Sequence, residues 1–255
     1  MDISLVIPVS NDSKIDECLK SINKEVETIV VLNKPSKEVN RIIKKWKKKN
    51  KKFELKVIKL KNKNVSKARN MGARKTKYNK ILFLDSDCTL EKNCLNEINK
   101  RLDNYEIVKG KVIIGKREQN ILKDDFFTPN LGIRKNVFKK LNGFDEKIKI
   151  AEDYELSLRI NNSRFSRTQT PKAIVYHPDI RKFFRGIKTF YKLGIGYSVI
   201  DRKNKNRNCL KRATSVLGLR KIISIESPKE KFRRFFVLPW RIIGYFYGRI
   251  KYKYV

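Results

Sequence analysis

The stretch Ile81–Cys88, ILFLDSDC, ends an apolar run with two carboxylates, Asp85 and Asp87, that are separated by one residue. An apolar run of this length is typical of a strand buried on both faces, as in a parallel sheet. Because side chains alternate along a strand, the pattern predicts that both acids point to the same side, roughly 7 Å apart. Ligands of open α/β sheets bind beyond the carboxyl ends of the strands. The stretch therefore predicts a parallel sheet with a ligand site at its edge.

Strand-like and helical patterns alternate on both sides of this stretch. The other predicted strands are ISLVIPV (3–9), TIVVL (28–32), LKVIKL (55–60), EIVKGKVIIG (106–115) and KAIVYH (172–177). Helical patterns separate the first of them, and Ser13 is expected to cap the first helix. Such alternation is the signature of βαβ units. We predict an α/β fold with one Rossmann-like domain built on a mostly parallel central sheet.

The charge of the chain points to an anionic partner. Its 255 residues include 62 Lys and Arg against 26 Asp and Glu, a formal net charge of +36. Nucleic acid, an acidic membrane surface and a phosphorylated substrate all fit such an excess. The basic residues are spread along the chain, and the sequence contains no helix-turn-helix, RNA-recognition or zinc pattern. We therefore expect no nucleic-acid partner, and a basic nucleic-acid-binding protein stays the alternative from another functional class.

Cysteine usage and hydropathy indicate a cytoplasmic protein. The four cysteines form no C-x-x-C pair, which is typical of reduced thiols. The N-terminus MDISLVIPVS lacks the basic start and longer apolar core of a signal peptide, so no export is indicated. Even the most apolar region, FFVLPWRIIGYFYG (235–248), contains Pro239 and Arg241 and does not read as a membrane span.

The paired acids Asp85 and Asp87 suit a divalent cation. Carboxylates together with substrate phosphates are the usual ligands of Mg²⁺ or Mn²⁺. The structural alternative is that the acids cap the next helix or pair with lysines such as Lys80. A D-x-D pattern is short, so by itself it leaves both open.

A second pair of acids lies in GFDEKIKIAEDYELSLRI (143–160). Glu152 and Asp153 stand at the start of an amphipathic helix whose buried face includes Leu156 and Ile160. Carboxylates stabilise helix N-termini, which is a purely structural role. An acid near a sheet edge is also well placed to take a proton from a hydroxyl as a general base. The residues alone do not choose between these roles.

Four motifs in order resemble a known family. The chain contains VIPVSN (6–11), NVSKARNMGA (64–73), FLDSDC (83–88) and GFDEKIKIAEDYELSLRI (143–160). It resembles the family 2 glycosyltransferases of the glycosyltransferase A fold over roughly residues 2–200. The resemblance implies a metal-dependent, inverting transfer of a sugar from a nucleotide-diphosphate sugar to a hydroxyl of a glycan or lipid-linked acceptor. Such enzymes act in the biosynthesis of polysaccharides and glycoconjugates.

The resemblance also implies residue roles. The implied nucleotide- and donor-binding residues are Pro8, Ser10, Asn11, Asn33, Arg69, Asn70 and Asp85. Asp85 and Asp87 match the D-x-D motif, in which Asp87 binds Mg²⁺ or Mn²⁺; Asp85 and His177 are the further implied ligands. Asp153 matches the catalytic base, and Glu152 lies beside it. For His177 the residues leave a structural role and a ligand role open.

Two departures from the family pattern concern the donor. Where the family usually has an acid that reads uracil after its second strand, VVLNKPS (30–36) has Leu32 or Asn33. Ser10 replaces the usual tyrosine of the first loop. UDP is the expected nucleotide, and GDP or another nucleotide stays open. A homologue that binds nucleotide sugars without transferring them is a further alternative.

The composition changes after His177, where the chain has 21 Lys and Arg against 4 Asp and Glu. Aromatic residues are interleaved with these charges, and no strand-like alternation is seen. We predict a catalytic domain over 1–178 and a basic, aromatic helical tail over 179–255. That composition suits an anionic membrane surface at the inner face of the cell membrane. Packing of the tail on the catalytic domain is the alternative.

Overall fold

The computed structural model describes residues 1–115, 117–118, 126–178, 183–204, 209 and 228–252. The chain divides into two compact units. The first unit consists of residues 1–146 and 153–179, and the second consists of 147–152 and 180–255. The second unit thus includes a short segment that lies within the predicted catalytic domain. The parts 179–182, 205–208, 210–227 and 253–255 of the predicted tail lie outside the described residues.

The first unit is built on nine strands and six helices among its described residues. The strands are β1 (Ile3–Val9), β2 (Glu27–Asn33), β3 (Glu54–Leu60), β4 (Lys80–Phe83), β5 (Thr89–Leu90), β6 (Ile107–Ile114), β7 (Arg117–Glu118), β8 (Leu131–Arg134) and β9 (Arg167–His177). The helices are α1 (Ile15–Lys20), α2 (Lys37–Lys49), α3 (Val65–Lys75), α4 (Cys94–Asn104), α5 (Lys135–Lys140) and α6 (Glu152–Asn161), whose first residue is grouped with the second unit.

The strands form one sheet in the order β3-β2-β1-β4-β8-β6-β9-β5, with β7 beside β6. The pairs β1–β2, β1–β4, β2–β3 and β6–β9 are parallel, and β8 lies antiparallel between β4 and β6. The prediction of an α/β fold with a mostly parallel central sheet is confirmed. Parallel order aligns the carboxyl ends of β1, β2 and β4 along one edge.

The sheet is held by apolar side chains that alternate between its two faces. In β1, Leu5 and Ile7 belong to a core cluster on one face, whereas Val6 belongs to a cluster on the other. In β4, Leu82 joins the first cluster and Phe83 joins the second. Every residue of β1 and β2 is buried, as expected of strands covered on both faces.

Two local expectations are wrong. β4 ends at Phe83, and the next residues turn, with the Cys88 N–H donating to the Asp85 carbonyl at 3.1 Å. Strand alternation therefore does not orient Asp85 and Asp87. Ser13 does not cap α1, which begins at Ile15 with no side-chain cap hydrogen bond.

In the second unit, α7 (Phe183–Lys203) packs against α8 (Pro228–Lys251). Glycines allow the close approach, because a Cβ on Gly194 would meet the Arg241 carbonyl oxygen at 2.0 Å. Asp201 is fully buried and accepts a 2.8 Å hydrogen bond from the Tyr245 hydroxyl across the pair. Among the described residues, no helix combines the length and hydrophobicity that crossing a bilayer requires.

Candidate active site

A cleft of about 290 Å³ lies in the first unit at the carboxyl ends of β1, β2 and β4. Its lining includes most of the residues predicted for the donor and metal sites. They are Pro8, Ser10, Asn11, Asn33, Arg69, Asp85, Asp87 and His177. Three predicted site residues, Asn70, Glu152 and Asp153, are not among the described residues that line it. The remaining lining residues are Val9, Asp12, Lys63, Val65 and Ser86.

Asp85 is fixed by an arginine from α3. The Arg69 Nη2 lies 2.8 Å from the Asp85 Oδ1, and Arg69 is only 4% exposed. Its guanidinium also lies over the Phe144 ring, 5.2 Å from the centroid. A buried guanidinium needs a carboxylate partner, so this pair fixes the orientation of the first acid of the D-x-D motif. The Asp85 side chain is nevertheless 28% exposed.

Asp87 is brought beside His177 by strand pairing rather than by sequence proximity. β5 pairs antiparallel with β9, and this places Thr89 opposite Tyr176. The residues just before β5 and at the end of β9 therefore meet. The His177 Nε2 lies 3.4 Å from the Asp87 Oδ2. Together with Cys88, these side chains form a group whose potential ligand atoms all lie within 4.8 Å of one another.

The hydrogen bonding of His177 directs one ring nitrogen toward Asp87. Its Nδ1 lies 2.8 Å from the Pro178 carbonyl oxygen, which can only accept, so the Nδ1 carries a proton and donates. An unprotonated Nε2 and a carboxylate are both electron-pair donors. Their close approach is therefore favourable if a proton on Nε2, or a cation bound by both groups, lies between them. An Nδ1–H held by a carbonyl is the usual support of a metal-binding histidine.

The donor set at this point fits a divalent cation. Neighbouring ligands of an octahedral ion lie about 3 Å apart when each is about 2.1 Å from the ion. The observed 3.4 Å between His177 and Asp87 is close to that spacing. Cys88 fits less well as a ligand of Mg²⁺ or Mn²⁺, because these hard cations prefer oxygen donors to thiolates. Burial, together with Asp85 and Asp87, raises the pKa of its thiol. Its S–H is directed to the Asp87 Oδ1 at 3.7 Å.

Burial raises the pKa of the Asp87 carboxyl, and the nearby charges of Asp85 and Asp12 raise it further, whereas His177 opposes the shift. The three carboxylates therefore create a negative field at the floor of the cleft. A bound cation would relieve this repulsion and favour the ionised form of Asp87.

The loops after β1 and β2 are joined at the other end of the cleft. The Ser10 hydroxyl donates to the Asn33 carbonyl at 2.5 Å, and the Ser36 N–H donates to the Ser10 carbonyl at 3.1 Å. The Asn33 side-chain carbonyl accepts from the Asn64 N–H at 2.7 Å. The carboxamide of Asn33 therefore presents its N–H₂ group as the hydrogen-bond donor of this position.

Asn70 lies behind the cleft and holds the loop that leads to α6. Its Oδ1 accepts from the Phe144 N–H and its Nδ2 donates to the Phe144 carbonyl, both at 2.8 Å. Gly143 adopts a positive φ of 61°, and a Cβ there would meet the Asn70 Oδ1 at 2.6 Å. The Asn70 side chain thus holds the backbone of Phe144, and among the described lining residues Arg69 represents the A-R-N-x-G element.

The helix that carries Asp153 is anchored in the first unit. Leu156 and Ile160 belong to the same core cluster as Phe83, the last residue of β4. The Arg159 Nη2 donates to the Gly143 carbonyl at 2.8 Å. Asp153 is half-buried, and its Oδ1 accepts from the Tyr154 N–H at 2.8 Å, which is the local hydrogen bond of an acid at a helix start. Glu152 is also half-buried.

Several residues of the site were not singled out from the sequence, and three of them carry chemically active side chains. Lys63, between β3 and α3, contributes a cation to the cleft lining, and Asp12 contributes a further carboxylate. Cys88 lies within the metal-ligand group. Lys63 stands at the carboxyl end of a parallel strand, which is the one signal that could have singled it out among so many lysines.

Comparison with known proteins identifies the family. The model of the family described as "Glycosyl transferase family 2" matches residues 4–187 of this chain. The match covers most of the chain and includes the described residues that line the cleft. The chain belongs to glycosyl transferase family 2. This membership confirms the family and the enzyme class predicted from the motifs, so the protein is a glycosyltransferase.

Solved structures show the same fold for this family 2 glycosyltransferase. Residues 1–349 of TarS from S. aureus match at a TM-score of 0.63, with 18% identity over 96% of this chain and 81% of that one. TarS has also been solved with UDP-GlcNAc, at a TM-score of 0.62 and 15% identity over 99% and 91% of the two chains. The mannosyltransferase PcManGT from Pyrobaculum calidifontis, in complex with GDP-Man and Mn²⁺, matches at 0.65 with 15% identity over 97% and 73%. No curated protein matches the sequence.

Proposed function

We propose that this family 2 glycosyltransferase moves a sugar from a nucleotide-diphosphate sugar to a hydroxyl of a glycan or lipid-linked acceptor, with inversion and with a divalent cation. The observation that carries the proposal is the cleft at the strand ends, where Arg69 fixes Asp85 and Asp87 lies 3.4 Å from His177. TarS and PcManGT, which share the fold, bind UDP-GlcNAc and GDP-Man, respectively.

Asp87 and His177 are the residues that would hold the cation, with Asp85 directed toward the donor by Arg69. Mg²⁺ takes oxygen ligands almost exclusively, so an imidazole in the set favours Mn²⁺. When bound, such an ion stabilises the negative charge of the departing nucleoside diphosphate. Lys63 and Arg69 add fixed positive charge to the same cleft.

The nucleotide base would be read by Asn33 at the end of β2. Its N–H₂ group can donate to a carbonyl oxygen of a base, which both uracil and guanine possess. The change from the usual acid to Asn33 is therefore compatible with recognition of either base. UDP remains the first choice and GDP the second.

Asp153 would act as the general base. An ionised carboxylate within reach of the acceptor hydroxyl takes its proton as the oxygen attacks the anomeric carbon, while the nucleoside diphosphate leaves from the opposite face. The proton ends on Asp153, the new glycosidic bond forms, and the bond to the diphosphate breaks. Because attack and departure occur on opposite faces of the anomeric carbon, the product has the inverted configuration.

A thermal-shift experiment tests donor binding. We expect UDP-GlcNAc or GDP-Man with MnCl₂, at concentrations well above the dissociation constant, to raise the melting temperature by roughly 5 to 10 °C. The nucleotide sugar or MnCl₂ alone should raise it less, because each lacks part of the site. If short DNA or RNA oligonucleotides stabilised the protein and no nucleotide sugar did, the nucleic-acid alternative would replace the proposal.

The proposal includes an anionic membrane surface as a partner of α8. Large apolar side chains of this helix are exposed on one stripe, spaced at three- and four-residue intervals. They are Phe236, Trp240, Ile243, Tyr247 and Ile250, with Phe246 beside them. Ile250 is 85% exposed, which is unusual for an isoleucine. We call these six residues the α8 stripe; with the basic residues of the helix, they suit the interface of an anionic bilayer.

Vesicle co-sedimentation tests this partner. The protein should bind vesicles that contain phosphatidylglycerol at low salt and bind pure phosphatidylcholine vesicles much less. The double variant Ile243→Ser/Ile250→Ser should weaken binding at least about tenfold, because two apolar anchors are lost. The change Tyr176→Ser removes an exposed apolar side chain of the first unit and serves as the control. Equal losses in both variants would count against the α8 stripe.

A further inference from the structure

The second unit contains a cavity of about 670 Å³ whose described lining residues all belong to that unit. Segment 147–150 forms one wall, and α7 forms another. Tyr247 and Tyr252 complete the lining. The volume is within the range of cavities that bind small molecules. The cleft of the first unit shares none of these residues, so its role in donor binding does not account for the cavity.

The wall from α7 is a continuous face of the helix. Its lining residues recur at three- and four-residue intervals over roughly 16 Å of helix length. They are Lys188, Tyr191, Lys192, Ile195, Gly196 and Val199. A Cβ on Gly196 would meet the Ile150 carbonyl oxygen at 2.4 Å, so the absence of a side chain there lets segment 147–150 lie directly against α7. The residues of α7 therefore supply one wall of the cavity and allow segment 147–150 to supply the other.

The interior of the cavity is apolar and aromatic. Aliphatic side chains from both walls line it, among them Ile148, which is 1% exposed. Three tyrosines continue this surface: the ring of Tyr191 lies 5.7 Å from that of Tyr247, which lies 6.2 Å from that of Tyr252. A surface of this kind excludes water and favours hydrocarbon.

Cations surround this apolar surface. The lining includes Lys147, Lys149, Lys188 and Lys192, and the described lining includes no acidic residue. In the part of the chain that the structure describes, Lys149, Lys188 and Lys192 form no ion pair. Lys188 and Lys192 are also like charges one turn apart on α7, an arrangement that costs helix stability. What distinguishes these lysines from others in this basic chain is their place beside an apolar cavity, where they are available to an anion.

We propose that this cavity binds an anionic amphiphile, namely a phosphate or diphosphate group attached to a hydrocarbon chain. The lysines match the anionic head group, and the isoleucines and tyrosines match the chain. A nucleic acid or a small soluble anion would leave the apolar surface unused, and a neutral lipid would leave Lys149, Lys188 and Lys192 without a counter-charge. Tyr247 belongs both to the cavity and to the α8 stripe, so a chain leaving the cavity meets further exposed apolar surface.

The proposal that the cavity binds the amphiphile depends only on residues of the second unit. Only its identification as the lipid part of an acceptor rests on the proposed function. The lining segment 147–150 ends three residues before Asp153 in the chain.

Titration with dodecyl phosphate below its micelle concentration tests the inference, with isothermal calorimetry as the readout. We expect saturable binding of dodecyl phosphate and much weaker binding of dodecyl maltoside and glycerol 3-phosphate, which lack the charge and the chain, respectively. The variant Lys188→Ala/Lys192→Ala should weaken binding at least about tenfold, because charge-assisted hydrogen bonds are lost. Equal binding of either control ligand would overturn the proposal.

A matched variant distinguishes loss of the cavity lysines from a general loss of positive charge. Lys44→Ala/Lys48→Ala removes two exposed lysines at the same spacing from α2 of the first unit. It should bind dodecyl phosphate as the wild type does, and an equal loss in both double variants would overturn the proposal. Stabilisation by UDP-GlcNAc or GDP-Man with MnCl₂ should persist in Lys188→Ala/Lys192→Ala. Failure of that stabilisation in the wild type, with dodecyl phosphate still bound, would reject the donor assignment and leave the cavity assignment standing.

Discussion

Replacement of Asp153 by Asn should lower the rate of sugar transfer by about 10²- to 10⁴-fold, the usual contribution of a general base. The carboxamide has nearly the same shape as the carboxylate and can still accept from the Tyr154 N–H, so α6 should keep its start. The measurement is release of nucleoside diphosphate with acceptor present, once a donor is known from the thermal-shift panel. Donor binding should stay unchanged, because Asp153 does not line the cleft.

The control for this variant is Asp103→Asn. Asp103 is an exposed acid of α4 that forms an ion pair with Lys80. The same chemical change there should leave transfer within about twofold of the wild type, since Lys80 keeps its ion pair with Asp2 and Asp103 does not line the cleft. Full activity of Asp153→Asn would remove Asp153 as the base and turn attention to Glu152, its neighbour.

Replacement of Asp87 by Asn should abolish Mn²⁺-dependent stabilisation by the nucleotide sugar and, with it, transfer. A carboxylate ligand supplies both charge and a donor atom, so we expect Mn²⁺ affinity to fall by at least about 10²-fold. Without metal, the variant should be at least as stable as the wild type. The reason is that burial raises the pKa of Asp87, so the ionised carboxylate is unfavourable in the folded state at neutral pH.

Cys88→Ser provides the matched control for Asp87→Asn. Cys88 belongs to the same group of potential ligands, but Mn²⁺ prefers carboxylate oxygen to sulfur, so its replacement should leave Mn²⁺ affinity nearly unchanged. Calorimetric titration with MnCl₂ and UDP gives both affinities. Loss of Mn²⁺ binding in Cys88→Ser, together with normal binding in Asp87→Asn, would reverse the assignment of the ligands.

The strands of the parallel half of the sheet could be predicted because their signal is local. β1 and β2 are uninterrupted apolar runs, and full burial of both matches that pattern. The family resemblance implied that Pro8, Asn33 and Asp85 belong to one donor site, and all three line the cleft. Their functional roles remain predictions for the variants to test.

The antiparallel part of the sheet could not be predicted in the same way. β8 has only four residues, one of them a glycine, and no local pattern separates it from a loop. Its place between β4 and β6 is fixed by neighbours such as Asn130, whose amide donates to the carbonyls of Lys111 and Ala173 at 3.1 and 2.9 Å. Those partners are distant in sequence, so the signal is absent from the segment itself.

The sequence by itself determined the α/β class, because hydrophobic periodicity is a local property. It also determined the family and the set of acids and polar residues at the strand ends, because the motifs and their order can be seen in the sequence directly. Only the tertiary structure decided which of these groups meet. The pairing of the two-residue β5 with β9 sets Asp87 beside His177, and an arginine of α3 fixes Asp85. It also decided that segment 147–150 lies against α7, since the absence of a side chain at Gly196 has meaning only when its neighbour in space is known.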